Sequence, residues 1–129
     1  MTEPLWPATR ETDAAVARVL GGENVHEHTV EWADEPVWFG VYPNEPHNRG
    51  HGIPIHRYAT ADEYDSASWG ETAGYLTNHT AWWQLCYADG QWFVRWGMSA
   101  HEVTREDGAT PGHALACAVL SVDARLREE

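Results

Sequence analysis

The sequence predicts an α+β domain in which a mostly antiparallel sheet packs against two or three helices as a sandwich. Three observations carry that expectation. Apolar residues recur at helical spacing near both ends of the chain, alternating strand patterns lie between them, and Asp89-Gly90 is a dipeptide favoured by two-residue hairpin turns. The 129 residues suit a single domain spanning 1–129, with no internal repeat, low-complexity tract or long linker.

The first helix is expected over about Thr9 to Leu20, where Ala15, Val16, Val19 and Leu20 make an apolar stripe. Gly21 and Gly22 stop it by offering the left-handed conformation that helix ends favour. His26, His28, Val30 and Trp32 then alternate with Glu27, Thr29 and Glu31, the period-two pattern of a strand with one wet face. A turn at Asp34 to Pro36 leads to a second strand over Val37 to Tyr42, so the two runs form a hairpin.

Pro43 to Gly52, PNEPHNRGHG, holds only breakers, polar groups and histidines and is read as an irregular loop. Ile53 to Tyr58 gives a short strand, placed at an edge by Pro54. Thr60-Ala61-Asp62-Glu63 matches a capping box, predicting a helix to about Leu76 with Trp69, Ala73 and Leu76 inward.

Ala81 to Ala88 and Gln91 to Gly97 flank the Asp89-Gly90 turn, which fixes their register. Tyr87 pairs with Trp92, Leu85 with Val94 and Trp83 with Trp96 on an apolar face expected to be interior. Cys86 with Phe93, Gln84 with Arg95 and Trp82 with Gly97 fall on a mixed face. A further strand is expected over Ser99 to Arg105, with a turn at Glu106 to Ala109. Thr110 as N-cap and Pro111 at the first helical position open the last helix, whose face is Leu115, Val119, Val122 and Leu126.

Composition narrows the function. Eight arginines, no lysine and 20 acids give a net charge of −12, which excludes a generic nucleic-acid binder that tracks phosphates with a basic stripe. Eight Trp, five Tyr and two Phe within 43% hydrophobic content exclude a disordered acidic tail. No apolar run is long enough to cross a bilayer and the N-terminus lacks a basic start and an apolar signal core, so no membrane association and a cytoplasmic location are expected. Cys86 and Cys117 lie far apart in apolar patterns, which reads as buried free thiols.

The order of elements resembles small phage proteins described as having an ABA-sandwich domain. ETDAAVARVLGG (11–22), RYATADEYDSASW (57–69), QWFVRWG (91–97) and DGATPGHALACAVLSVDARL (107–126) carry the resemblance over about half of the chain. It implies a sandwich fold and a phage-like origin. The family brings no established activity, and the acidic first hairpin and the PNEPHNRGHG loop depart from it.

Charge is uneven along the chain. Residues 1–35 are net −6 and residues 61–80 are net −4, whereas residues 36–60 are net +1 and hold three of the eight histidines. Arg49, His51, His56 and Arg57 form the one cationic cluster, with Trp38, Tyr42 and Tyr58 as neighbouring flat rings. That combination suits a small anionic, nucleotide-like ligand. Its alternative is neutralisation of nearby acids by arginines while the tryptophans fill the core. Glu23, Glu27, Glu31, Asp34 and Glu35, with Asp62 and Glu63, form an acidic surface able to imitate DNA phosphates before a basic host protein, or simply to confer solubility.

Catalytic motifs are sparse. None of the four serines sits in a G-x-S-x-G turn, and neither a P-loop nor GxGxxG occurs. His26 and His28, with Glu27, His51, His56 or His101, are imaginable metal ligands, but HExxH, CxxC and Asp-rich loops are lacking. Acid pairs such as Asp62/Asp65 or Glu102/Glu106 are most simply solvated charges. The reading is therefore a non-enzymatic phage or mobile-element accessory protein without cofactor or metal. It binds a host protein or a small anionic ligand, has no direct contact with nucleic acid, and has scope for homo-oligomers. The alternative is a small His-dependent metal hydrolase.

Overall fold

A computed structural model describes residues 6–42, 52–60 and 66–128. Its elements in chain order are α1 (Arg10–Val19), β1 (Glu23–His28), β2 (Val37–Val41), β3 (Ile53–Pro54), α2 (Ser66–His79), β4 (Trp82–Ala88), β5 (Gln91–Gly97), β6 (Thr104–Gly108) and α3 (Pro111–Glu128). The α+β expectation is met with one difference. The strands form two three-stranded antiparallel sheets, β1-β2-β3 and β4-β5-β6, rather than one continuous sheet.

The closing helix is the hub. Thr110 Oγ1 accepts the His113 amide at 3.1 Å, satisfying one of the orphan donors at the start of α3. Gly112 to Leu120 and Val122 are buried without interruption, because α3 is enclosed by β5 and β6, by α1 and by α2. Alanine at positions 114, 116 and 118 lets these neighbours approach on several sides, so burial is wider than the one stripe expected. Leu115, Val119 and Val122 are interior as predicted; Leu126 is exposed near the end.

The β4–β5 register is the expected one, including Trp83 with Trp96, Leu85 with Val94 and Tyr87 with Trp92. Asp89 and Gly90 take φ of 54° and 76°, the doubly positive geometry of a type I′ turn. Val94 and Trp96 are core, with Trp83, Leu85 and Trp92 packed against it. Tyr87 departs from the expectation: it is 60% exposed beside the hairpin turn, where its ring meets that of Trp92 at 4.7 Å.

Boundaries shift elsewhere. In α1, Thr9 is the N-cap and Gly21 takes φ of 102°, whereas Gly22 keeps an ordinary φ and lies against the Ala17 carbonyl. β1 begins at Glu23 and ends at His28, leaving Val30 and Trp32 in the connection to β2. β3 is only two residues long and pairs at the edge, as Pro54 requires. The third strand of the second sheet is Thr104–Gly108, not Ser99 to Arg105, so the segment read as a turn is paired. Its charges are accommodated individually: the Arg105 guanidinium covers Phe93 at 3.8 Å and holds Asp107 at 2.8 Å, while Glu106 bonds Ser121 on α3. α2 runs on to His79, with Leu76 and Thr72 buried and Trp69 and Ala73 half-buried; the Ala61-Asp62-Glu63 part of the capping box lies outside the described residues. Among the described residues, no helix is long and apolar enough to cross a membrane.

Candidate functional site

Arg49, His51, Asp62 and Glu63 lie outside the described residues. The other five members of the cationic reading, Trp38, Tyr42, His56, Arg57 and Tyr58, fall into different settings. Trp38 on β2 is half-buried against the core, with the Arg18 guanidinium 5.8 Å from its ring. Arg57 is exposed, whereas Tyr58, one residue later, is almost wholly buried. His56 is partly exposed and its ring meets Tyr58 edge-on at 5.8 Å.

Glu71 on α2 joins this group. Tyr58 donates to Glu71 Oε2 at 2.5 Å, and His56 Nε2 stands 3.7 Å from Glu71 Oε1. Burial, with the Glu71 carboxylate behind it, pushes the Tyr58 phenol far above its ordinary value. Tyr42 is raised by burial and by the charge of Glu71, and lowered by its bond with Tyr58. The rings read from sequence as open stacking faces are therefore engaged with a carboxylate and with the core. Sequence offered no pointer to Glu71, an acid in an acidic segment whose partner lies 13 positions earlier.

The segment leading into Tyr58 is itself fixed from α1. Asp13, fully buried, accepts from the Ala59 amide and from Thr60 Oγ1, each at 2.5 Å, and pairs with Arg10. Arg10 also reaches the His56 carbonyl at 3.4 Å.

The histidine pair of β1 is a packing unit. His26 and His28 lie on one side of the strand, 6.3 Å apart, and both rings flank Phe39 of β2. Among the described residues, no three His, Cys, Asp or Glu side chains form a group that could hold a metal ion. Glu102 and Glu106 do not share a site either. Glu102 is clamped by both Arg125 nitrogens at 3.0 and 2.9 Å, which with the Met98 amide holds its carboxyl below the usual range.

The five described acids of the predicted partner surface, Glu23, Glu27, Glu31, Asp34 and Glu35, are all exposed. Two lie on β1 and three in the connection 29–36, and they accompany Trp32, which is 70% exposed. Sequence alternation had assigned that tryptophan to a strand; the strand ends four residues earlier, and the ring is left in solvent. The chain matches no family model, no curated protein and no solved structure.

Proposed function

We propose that the protein acts by binding, as an accessory protein of a phage or mobile element whose acidic β1–β2 arm docks on the basic surface of a host protein. The observation that carries this reading is Trp32, a large ring 70% exposed within a stretch of exposed carboxylates. Tryptophan is the residue type most often found as an interface anchor, because one side chain removes so much apolar area from water on docking. The surrounding acids, in a chain of net charge −12, steer a cationic partner and set its orientation. A DNA-binding protein or nuclease presents the complementary surface, and the resemblance to phage sandwich proteins agrees with a host target.

Capture of a small anion at His56 and Arg57 is opposed by the Glu71 carboxylate beside the His56 ring. The metal-hydrolase alternative finds no three-ligand group among the described residues.

The test is to retain a partner from host lysate, identify it, and measure its affinity for wild type, Trp32→Ala and the double variant Glu27→Lys/Glu31→Lys. The expected result is at least about a tenfold loss for each variant, with a complex that weakens steeply as salt rises. An affinity indifferent to both variants and to salt overturns the reading.

A further inference from the structure

The outer face of the second sheet carries a cationic side chain beside an aromatic ring in an open cavity. An open cavity of about 500 Å³ is lined by Ala81, Trp82, Gln84, Arg95 and Ala100, a volume within the range of small-ligand sites. Trp82 is pinned in it: its Nε1 donates to the Ser99 carbonyl at 2.9 Å, and the ring lies against Gly97, where any Cβ would come within 2.7 Å of that nitrogen. Gln84 and Arg95 face one another across β4 and β5, with Arg95 Nη2 donating to Gln84 Oε1 at 2.6 Å.

Arg95 is the notable member. It is exposed, and among the described residues its guanidinium meets the neutral Gln84 amide and no carboxylate. Arg10, Arg105, Arg125 and Arg127 each hold an acid. Arg95 also stands directly opposite Arg105 in the β5–β6 register, a like-charge placement that disfavours the sheet. Arg105 is neutralised by Asp107, whereas among the described residues no carboxylate does the same for Arg95. A guanidinium has five N–H donors in a planar fork, so after the bond to Gln84 it keeps donors for a two-oxygen anion.

From this geometry we infer that the cavity on β4 and β5 binds a small planar ring compound carrying one anionic group, the ring against Trp82 and the anion on Arg95. The anion supplies the charge that Arg95 lacks and relieves its repulsion with Arg105. Gln84 is left beside both, where its amide reads polar atoms on the ring edge. Nucleoside monophosphates and aromatic carboxylates share this chemistry. The site lies on the second sheet, so it stands or falls independently of the acidic arm on the first.

The experiment is a titration of the full chain followed through the indole Nε1–H and arginine Nε–H signals by two-dimensional NMR. Trp82→Phe and Arg95→Gln identify the two resonances. The probes are adenosine monophosphate, benzoate, adenosine and inorganic phosphate. Saturable shifts of the Trp82 and Arg95 signals are expected with adenosine monophosphate or with benzoate, and which of them saturates separates the nucleotide source from the aromatic acid. Adenosine and phosphate, each lacking one contact, bind at least about tenfold more weakly. Arg95→Gln, at an exposed position that faces Arg105, lowers affinity at least about tenfold without lowering the melting temperature, and Arg57→Gln leaves affinity unchanged. The inference is overturned if neither ring-bearing anion saturates, if the shifts centre away from Trp82 and Arg95, or if the two arginine variants bind alike.

Discussion

Asp13 of α1 accepts the backbone amide of Ala59 at 2.5 Å, across 46 positions of sequence. With Thr60 and Arg10 on the same carboxylate, one buried side chain joins the first helix to the segment that carries His56 and Tyr58. Removing the carboxylate strands the buried Ala59 amide without water or partner and takes the acceptor from the part-buried Thr60 hydroxyl. Asp13→Ala is expected to cost about 3 kcal/mol, measured as the shift in urea midpoint at constant slope. Asp13→Asn should recover only part of that loss, because its single carbonyl oxygen cannot serve the Ala59 amide, the Thr60 amide and hydroxyl, and Arg10 together.

How much of this was legible follows from where each determinant lies in the sequence. The β4–β5 hairpin was readable to the residue, since Asp89-Gly90 and seven paired positions fix it locally. Both the first and last helices announce their starts through Thr9 and Thr110, again within a few residues. β6 was misplaced because Arg105, Glu106 and Asp107 look like a solvated turn; only Phe93 and Ser121, from other elements, make them tolerable in a strand. The Tyr58–Glu71 bond depends on a pairing between distant elements, which periodicity does not contain. Exposure of Trp32 was hidden by its own pattern, since alternation with Glu31 mimics a strand that has already ended at His28.

Gly108 closes β6 where α3 begins. A Cβ there would stand 2.2 Å from the Ala114 amide nitrogen and 2.6 Å from its Cα, both backbone atoms of a fully packed helix. Neither side can yield without lifting α3 from the sheet. Gly108→Ala is therefore expected to destabilise by about 3 kcal/mol, at the upper end of overpacking costs, seen as a lowered melting temperature. Gly70→Ala, at a helical position where nothing lies within 4 Å of the added methyl, serves as the control and should stabilise slightly.

The two cysteines should differ in reactivity. Burial pushes the Cys117 thiol up to about 12; a backbone hydrogen bond from Trp6 only partly opposes the rise, and the charges of Glu106 and Asp107 add to it. Cys86 is partly exposed on the outer side of β4. Because the thiolate is the reacting form, a colorimetric disulfide reagent at pH 8 should titrate one thiol in the native protein and two after denaturation. Rapid titration of both native thiols would show that α3 opens readily near Cys117.

Glu106 links the charge placed in β6 to stability. Burial raises its carboxyl above the usual value, Asp107 adds to the rise, and the bond from Ser121 partly offsets it. A raised native pKa means that the folded state holds the proton more tightly than the unfolded chain, so stability falls as pH climbs from the ordinary carboxylate value through the raised one. Above that window the buried charge is a standing penalty. Glu106→Gln keeps an oxygen for Ser121 and abolishes the titration. Its melting temperature should exceed that of wild type at pH 7, and the gap should close as pH is lowered toward 4.5, the ordinary value for glutamate. Glu27→Gln, an exposed acid on the same highly negative chain, controls for the removal of one charge from the whole. If both variants give the same gap at every pH, net charge rather than the burial of Glu106 governs the effect.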